Sequence, residues 1–379
     1  MDHPSQEPLK STPLESLHVA RGAKMVGFAG YSMPVNYPLG VLKEHLHTRT
    51  AAGLFDVSHM GQAALTGKDV AQAIETLVPG DIAALAPGQI RYTMLTTPEG
   101  GIIDDLMISR PAEPGSEDKL CLVVNAGCKE RDFAHIAAAL ADRAVLTRHD
   151  DAALIALQGP KAAEVLARLV PEAAAMAFMT TRTAMLAHAP VRLFRSGYTG
   201  EDGYEISVPG AEAVRITETL LNQPEVEPIG LGARDSLRLE AGLCLYGNDI
   251  DTTTTPIEAA LAWTISKRRR GEGGFPGAAK IQQQLADGPQ RKRVGIRPLS
   301  RAPARGHTEI QDGKGRRIGE ITSGGFGPSV NGPVAMGYVE TEFAKVGTPV
   351  TLIVRGQAQP AQVEALPFFP HRYFKSARN

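Results

Sequence analysis

The sequence contains the stretch Gly100-Gly101-Ile102-Ile103-Asp104-Asp105-Leu106-Met107, in which a glycine pair precedes residues of strand type. With the strand-type run at 89–95 and the turn at 97–101, this stretch predicts the returning strand of a β-hairpin. Side chains alternate across a strand, so Asp104 and Asp105 are expected on opposite faces of the sheet. Asp105 then shares its face with the apolar residues two positions away on either side.

Outside this hairpin the chain mixes strand-type and helix-type segments. Apolar residues recur at helical spacing at 70–77, 133–141 and 161–169, with short strand-type runs between them. Because no regular strand–helix–strand repeat is present, the pattern favours the α+β class over a doubly wound sheet.

The C-terminal part has a different pattern. Helical periodicity fades from about residue 292, and strand-type runs recur between glycines and prolines at 293–296, 317–321, 334–339, 350–354 and 362–366. Such spacing predicts a small all-β domain, either a barrel or a sandwich. The charged, glycine-rich residues before it, 267–274, are predicted to form a loop or a connection between domains.

Length and composition limit the class of protein. A chain of 379 residues exceeds the usual size of one core, so two or three domains are expected. Its 40 basic and 41 acidic residues give a formal net charge of -1, which disfavours nucleic acid as a partner. No apolar run approaches the roughly 20 residues of a membrane-spanning helix, so no membrane association is expected.

Cysteines and the N-terminus bear on the compartment. Cys121, Cys128 and Cys244 are too scattered for a disulfide framework and lack the paired spacing of a zinc site, so reduced thiols are expected. Residues 1–10 are polar and show neither the apolar core of a secretory signal nor the arginine-rich pattern of a transit peptide. We therefore expect a cytoplasmic location.

Asp105 is the first candidate for chemistry. If its face of the hairpin lines a cavity, the partly desolvated carboxylate could orient a reacting amine, stabilise developing positive charge or accept a proton. The alternative is an Asp pair that closes the hairpin through bonds to backbone amides. Spacing alone favours this alternative.

Two further segments bring charged groups close together. Arg234 and Arg238 lie four residues apart at the predicted start of a helix, where a guanidinium could bind a heterocycle edge or a carboxylate. A surface ion-pair ladder is the commoner explanation.

Residues 198–205 crowd three acids and two tyrosines around glycines, and a carboxylate there could accept two parallel hydrogen bonds from an amidine-like edge. Calcium binding and a plain surface turn are the alternatives.

Histidines do not predict a metal site. His45 and His47 lie beside Glu44, but no third ligand at helical spacing accompanies them, and surface histidines are the commoner case. His59 could approach a ligand, and a packed core histidine fits the sequence equally well. No metal is expected.

A set of ordered segments spans nearly the whole chain. It comprises Gly22-Ala23-Lys24-Met25-Val26-Gly27-Phe28-Ala29-Gly30-Tyr31-Ser32-Met33-Pro34-Val35, then 53–61, 100–106, 123–128, 157–161, 197–205, 230–247 and 319–326. Each segment alone is weak, but as an ordered set they resemble the T-protein family, the folate-dependent aminomethyltransferases of the glycine cleavage system. The resemblance runs from about residue 14 to residue 372.

The resemblance implies a three-domain cloverleaf of the α+β class around a central opening. Two α+β domains would be interleaved along the chain, the first comprising 1–60 with 147–250 and the second 61–146 with 251–284. Residues 285–379 would form a C-terminal β-barrel domain.

The resemblance also implies an activity. Tetrahydrofolate, held as co-substrate in the central opening, would receive the methylene carbon of an aminomethyl group on the dihydrolipoyl arm of lipoylated H-protein. The products would be 5,10-methylenetetrahydrofolate, ammonia and the dihydrolipoyl protein, and the enzyme would be a monomer. The alternatives are a folate-dependent demethylase of a methylated small molecule and a non-catalytic folate-binding factor for iron–sulfur assembly. The intact segments at 197–205 and 234–247 favour the T-protein.

The family pattern assigns seven residues of this chain to one folate site: Tyr92, Asp105, Asn125, Tyr198, Glu205, Arg234 and Arg372. By resemblance Asp105 is the catalytic aspartate, Glu205 binds the pterin edge, and the two arginines lie near folate. The tyrosines and the asparagine would line the pocket. The sequence departs from the pattern at Tyr31, where many members carry Trp, and at 251–256, which replaces a more polar stretch.

Overall fold

The computed structural model describes residues 8–374. The first seven and the last five residues, which the predicted first and third domains include, lie outside the described residues, as does most of the stretch searched for a signal sequence. Across 8–374, no helix is both long enough and apolar enough to cross a bilayer.

The first 240 residues form one hairpin and two larger sheets with flanking helices. In chain order the elements are α1 (Glu15–Ala20), β1 (Lys24–Phe28), β2 (Tyr31–Asn36), α2 (Val41–Thr50), β3 (Ala52–Asp56), β4 (Gly61–Thr66), α3 (Val70–Ile74), β5 (Ile90–Thr96), β6 (Ile102–Ser109), β7 (Lys119–Val124), α4 (Lys129–Ala139), β8 (Val145–Arg148), β9 (Ala152–Gln158), α5 (Ala162–Leu169), β10 (Thr181–Leu186), β11 (Ala189–Phe194), β12 (Gly203–Pro209), α6 (Ala213–Leu221), β13 (Val226–Ile229) and α7 (Leu231–Glu240). Strands β10-β11-β12-β9-β3-β13 form a six-stranded sheet, and β5-β6-β7-β4-β8 form a five-stranded one. The pairing of β13 with β3 is parallel and the other pairs are antiparallel, as the α+β prediction requires.

The six-stranded sheet buries one face against helices α5 and α6. Leu54, Ile155 and Ile206 pack from its strands against Val165 and Ile216 of these helices, and all five side chains are buried. Removing such apolar surface from water stabilises the fold by roughly 25 cal/mol per Å². Strand β9 is buried almost throughout because it is covered on both faces.

The other face of the six-stranded sheet meets the five-stranded sheet and helix α7. Five residues lie in register across its strands and therefore share this face: Phe194, Glu205, Ala156, Phe55 and Ile229. Helix α7 packs on the apolar part of the row, and Val123 of β7 packs against the same cluster. Glu205 is the one carboxylate in this row, and its side chain therefore lies where the two sheets and α7 meet.

The five-stranded sheet confirms the predicted alternation along the hairpin strand. Leu106 and Ile108 of β6 are buried against Phe133 and other residues of α4. Asp105 and the neighbours on its own face are only half-buried. That face of β6 is therefore the one available to a ligand.

The C-terminal domain is a closed barrel. After helices α8 (Lys267–Glu272) and α9 (Ala278–Asp287), the strands are β14 (Arg291–Pro298), β15 (Glu309–Gln311), β16 (Arg317–Gly327), β17 (Gly332–Glu340), β18 (Pro349–Val354) and β19 (Gln357–Glu364). Their order is β14-β17-β16-β15-β18-β19, and β14 also pairs with β19 to close the ring. The barrel alternative is therefore correct, and the sandwich is not.

The loop predicted at 267–274 is wrong for its first six residues, which form α8. The hydroxyl of Ser266 accepts a hydrogen bond from the backbone N–H of Arg269 and caps the helix. Arg268 forms ion pairs with Glu75 and Asp81, which follow α3 in the chain. Charge and glycine content predicted a loop, whereas Arg268 and Arg269 bind partners from a distant part of the chain.

The chain alternates between the two sheets. It enters the six-stranded sheet at β3, forms the whole five-stranded sheet from β4 to β8, and returns at β9. After α7 the chain again contacts the five-stranded sheet, where the backbone N–H of Ile102 donates to the carbonyls of Asp251 and Thr254. The interleaved α+β arrangement and the C-terminal barrel are confirmed, whereas the domain boundaries stay a prediction.

This return contact makes Gly101 sensitive to substitution. A Cβ atom at Gly101 would lie 1.9 Å from the carbonyl oxygen of Thr252, so Gly101→Ala must displace backbone. Overpacking of this kind costs about 1–3 kcal/mol, and we expect a clear fall in Tm. Gly127→Ala is the matched control, because nothing lies within 4 Å of its Cβ. Equal Tm values for the two variants would contradict the close approach.

Candidate functional site

Asp105 is held by two side chains from neighbouring strands. Its Oδ2 accepts a hydrogen bond from the Tyr92 hydroxyl at 2.9 Å, and its Oδ1 accepts one from Asn125 Nδ2 at 2.8 Å. Burial, followed by the nearby charge of Asp104, raises the pKa of Asp105 to about 7. A half-buried carboxylate with this pKa exchanges protons near neutral pH.

Asp104 points to the other side of β6. Its carboxylate accepts hydrogen bonds from the backbone N–H and the side-chain Nδ2 of Asn125. The alternative interpretation of the sequence is an Asp pair that closes the hairpin through hydrogen bonds to backbone amides. Within residues 8–374, Asp104 makes such a bond, and Asp105 does not. Asp104, Cys128 and Asp132 place ligand atoms within 4.8 Å of one another, a grouping that could bind a cation. The absence of a metal stays a prediction.

Glu205 presents a carboxylate from the facing sheet. Ser196 Oγ donates to its Oε2 at 3.1 Å, and it is the one hydrogen-bond donor to this carboxylate within residues 8–374. Burial raises the pKa of Glu205, and the nearby Arg234 guanidinium lowers it. The second carboxylate oxygen is left for a ligand.

Arg234 projects from α7 beside Glu205. Its guanidinium lies 4.8 Å from the centroid of the Tyr198 ring, and the Tyr198 hydroxyl donates to the carbonyl of Cys244. The buried Nη1 of Arg234 has no hydrogen-bond partner among the described residues. Burial lowers the pKa of Arg234, and the Glu205 carboxylate raises it. A buried guanidinium nitrogen without an acceptor fits a polar ligand.

The structure links six of the seven predicted residues. Tyr92 and Asn125 bond Asp105, and Arg234 lies over Tyr198 beside Glu205. Burial raises the pKa of Tyr198, and the charge of Asp105 raises it further. The residues around Asp105 and the residues around Glu205 therefore lie next to each other at Tyr198.

Arg372 is placed differently. Its Nη2 pairs with Glu201 Oε1 at 3.0 Å, its guanidinium lies over Phe369, and its side chain is 42% exposed. Buried Glu201 also pairs with Arg49. Arg372 is thus bound to the turn that carries Tyr198 and is not among the groups that contact Asp105 or Glu205. Its role near folate stays a prediction.

The expectation that His45 lies at the surface is wrong. Its ring is buried, with Nε2 3.0 Å from Glu240 Oε2 and Nδ1 2.7 Å from Ser236 Oγ. His59 is likewise buried and packs against Phe28. Both are packed histidines of the interior.

Sequence reasoning missed three side chains of the site. Trp263, the single tryptophan of the chain, is 67% exposed and stacks on Tyr92 with ring centroids 5.8 Å apart. Ser196 bonds Glu205, and Asp132 contacts Asp104. An acidic residue within the apolar stripe of α4 was the available signal for Asp132.

Fold and site together define a protein with two interleaved α+β domains, a C-terminal barrel and a polar, carboxylate-bearing site where the two sheets and α7 meet. Residues 14–269 match the family model "GCVT N-terminal domain", and residues 291–370 match "Glycine cleavage T-protein C-terminal barrel domain".

Relatives of known name agree with these matches. The mitochondrial aminomethyltransferase of Mesembryanthemum crystallinum is 48% identical and covers 98% of this chain and 92% of its own. That of Gallus gallus is 48% identical, with 97% and 94% covered. The crystal structure of glycine cleavage system aminomethyltransferase T from Bartonella henselae is 46% identical, superposes with a TM-score of 0.91 and covers 97% of this chain and 100% of its own. The chain belongs to the glycine cleavage T-protein family.

Proposed function

We propose that this protein transfers the methylene carbon of an aminomethyl group, carried on the dihydrolipoyl arm of H-protein, to tetrahydrofolate. The C–S and C–N bonds to the carbon break, and bonds to N5 and N10 of tetrahydrofolate form. Of the two protons that these nitrogens lose, one converts the leaving amine to ammonia and the other restores the lipoyl thiol. The products are 5,10-methylenetetrahydrofolate, ammonia and dihydrolipoyl H-protein.

The observation that carries the proposal is the unsatisfied polar pair formed by Glu205 and Arg234. Glu205 has a free carboxylate oxygen and Arg234 a buried Nη1 without a partner among residues 8–374. A carboxylate accepts two parallel hydrogen bonds from the amidine-like edge of a pterin, and a guanidinium donates to its ring acceptors. The pair therefore suits tetrahydrofolate, and Tyr198 would form part of the wall.

Asp105 supplies the charge and the proton acceptor in this proposal. Held by Tyr92 and Asn125, its carboxylate orients the folate nitrogens that receive the carbon. It also stabilises the iminium-like positive charge that develops as the carbon leaves sulfur. Its pKa of about 7 suits a group that accepts a proton near neutral pH.

The names of the relatives support an aminomethyltransferase over a demethylase or an iron–sulfur assembly factor. We propose lipoylated H-protein as the partner. Several expectations stay predictions: that the protein is a monomer, that it lies in the cytoplasm, that it binds neither nucleic acid nor membrane, and that it uses no metal. The aminomethyltransferases of Mesembryanthemum crystallinum and Gallus gallus are named as mitochondrial proteins.

A donor-competition assay tests the proposed function. Purified protein and tetrahydrofolate are supplied with aminomethylated H-protein, or with sarcosine or dimethylglycine, and both methylenetetrahydrofolate and methyltetrahydrofolate are measured. We expect methylenetetrahydrofolate with the H-protein donor and neither product with the methylated amines. Methyltetrahydrofolate formed from a methylated amine at an equal or higher rate would favour the demethylase instead.

The pH dependence follows from the ionisation of Asp105. The ionised form is active, so kcat/KM should rise roughly tenfold from pH 6 to pH 8, with a midpoint near the pKa of about 7. Tyr92→Phe removes a hydrogen bond that lowers the pKa of Asp105, so this variant should move the midpoint to higher pH. An unchanged midpoint in Tyr92→Phe would exclude Asp105 as the titrating group.

A further inference from the structure

An exposed aromatic side chain, that of Trp263, lies against the tyrosine that holds Asp105. The indole is 67% exposed, and its plane is 19° from that of the Tyr92 ring, with the ring centroids 5.8 Å apart. The Tyr92 hydroxyl in turn donates to Asp105 Oδ2 at 2.9 Å. Trp263 is therefore one side chain away from the proposed catalytic carboxylate, and most of its large apolar surface is available to a ligand.

The order of the strands separates Trp263 from the proposed pterin site. Strands β5, β6 and β7 are consecutive in the five-stranded sheet, and Asp105 lies on β6, the middle one. From β7, Val123 packs against the cluster on the face of the six-stranded sheet that carries Glu205. Tyr92, with Trp263 stacked on it, belongs to the edge strand β5. Asp105 thus has the proposed pterin site toward β7 and the indole toward β5.

The backbone around Trp263 is fixed by an arginine of α8. Arg270 Nη2 donates to the carbonyl of Ala262 at 2.5 Å, and its Nε donates to the carbonyl of Ile265 at 2.8 Å. The ion pairs of Arg268 anchor α8 itself. These bonds hold the chain on both sides of Trp263, so the exposed indole is a preformed surface beside the site.

The proposed reaction needs two reactants at Asp105 at the same time. The folate nitrogens and the sulfur-bound carbon must meet there, so the donor has to approach from a side that the pterin does not occupy. The donor arm is a saturated carbon chain that ends in two sulfur atoms. An indole face suits such a chain, because it offers apolar area and favourable sulfur–aromatic contacts.

We propose that the exposed face of Trp263 binds the alkyl thiol end of the dihydrolipoyl arm and directs its sulfur-bound carbon to Asp105. Tyr92 then serves both reactants, since its hydroxyl holds Asp105 and its ring supports the indole. The inference names the contact for the donor and rests on the proposed function.

Steady-state kinetics separate the donor contact from folate binding. Trp263→Ala should raise KM for aminomethylated H-protein by roughly 2- to 12-fold, the range for one sulfur–aromatic contact, and leave KM for tetrahydrofolate unchanged. Trp263→Phe keeps a ring on Tyr92 and should recover most of the loss. Met185→Ala is the control, because Met185 is a similarly exposed apolar residue on β10. An unchanged KM for H-protein in Trp263→Ala, or a rise in KM for tetrahydrofolate instead, would overturn the proposal.

Fluorine NMR tests the contact without turnover and with the wild-type sequence. Because the chain has a single tryptophan, protein produced with 5-fluorotryptophan carries one fluorinated residue, Trp263. Its resonance should shift on addition of dihydrolipoyl H-protein and stay near its original position with unlipoylated H-protein or with tetrahydrofolate. An equal shift with tetrahydrofolate alone would place the folate on the indole. An equal shift with unlipoylated H-protein would place the H-protein surface there, and either result, like no shift at all, would overturn the proposal.

The two measurements distinguish this inference from the proposed function. If the resonance shifted as expected but wild-type protein formed no methylenetetrahydrofolate from aminomethylated H-protein, the arm would bind at Trp263 and the proposed function alone would fail. If methylenetetrahydrofolate formed while dihydrolipoyl H-protein left the resonance unmoved, the role of Trp263 alone would fail.

Discussion

Asp105→Asn is expected to lower turnover of methylene transfer by ~10²–10⁴-fold, the usual range for a group that handles protons. Asn keeps the size of the side chain and can still accept a hydrogen bond from Tyr92, so the fold should survive. It lacks the charge that stabilises an iminium-like carbon. Equilibrium binding of tetrahydrofolate should change little, because Glu205 and Arg234 remain. Single-turnover kinetics with aminomethylated H-protein measure the loss.

Asp118→Asn is the matched control for this variant. Asp118 precedes β7 in the same sheet and is exposed, so its substitution should leave turnover and folate binding at wild-type values. A wild-type single-turnover rate in Asp105→Asn would show that the carboxylate takes no part in the transfer. Equal losses in folate binding and in rate would assign Asp105 to binding instead.

Glu205→Gln is expected to raise KM for tetrahydrofolate by about 10- to 150-fold, which corresponds to about 1.5–3 kcal/mol for hydrogen bonds to a charged group. Within residues 8–374 Glu205 has one protein donor, Ser196, so most of its hydrogen-bonding capacity serves the ligand. The turnover at saturating folate should fall less than in Asp105→Asn. The exposed Glu227, on β13 of the same sheet, provides the control variant Glu227→Gln.

A double-mutant cycle with Arg234→Met tests whether Glu205 and Arg234 act as one site. Because they are electrostatic neighbours, the two losses in folate affinity should be clearly non-additive. Additive losses, or an effect of Glu205→Gln on KM for H-protein instead of folate, would separate Glu205 from the pterin site.

Local patterns predicted much of the fold. Alternation along 102–109 gave the faces of Asp104 and Asp105 correctly, because the period of a strand is fixed by backbone geometry. Regular strand spacing likewise predicted an all-β C-terminal domain but left a barrel and a sandwich open, and the structure shows the barrel. Local patterns failed at 267–272, where ion pairs of Arg268 to Glu75 and Asp81 hold a charged segment as a helix of which only Arg269 is buried.

The site was only partly predictable because its contacts join distant segments. The ordered family motifs selected Asp105, Glu205 and Arg234, and no spacing within one element could have joined them. The close approach of Asp104 and Asp132 depends on how α4 packs against β6, which periodicity does not specify. Similarly, the pairing of Arg372 with Glu201 arises only when the C-terminal segment returns to the turn at 200–201.

The most direct test of the account follows the carbon itself. H-protein is loaded with a ¹³C-labelled aminomethyl group, mixed with tetrahydrofolate and the enzyme, and observed by ¹³C NMR over a single turnover. We predict that the label moves to the methylene bridge of 5,10-methylenetetrahydrofolate with wild-type protein and stays on H-protein over the same interval with Asp105→Asn. Label that appears as free formaldehyde, or that transfers equally fast in both proteins, would contradict the proposed transfer through Asp105.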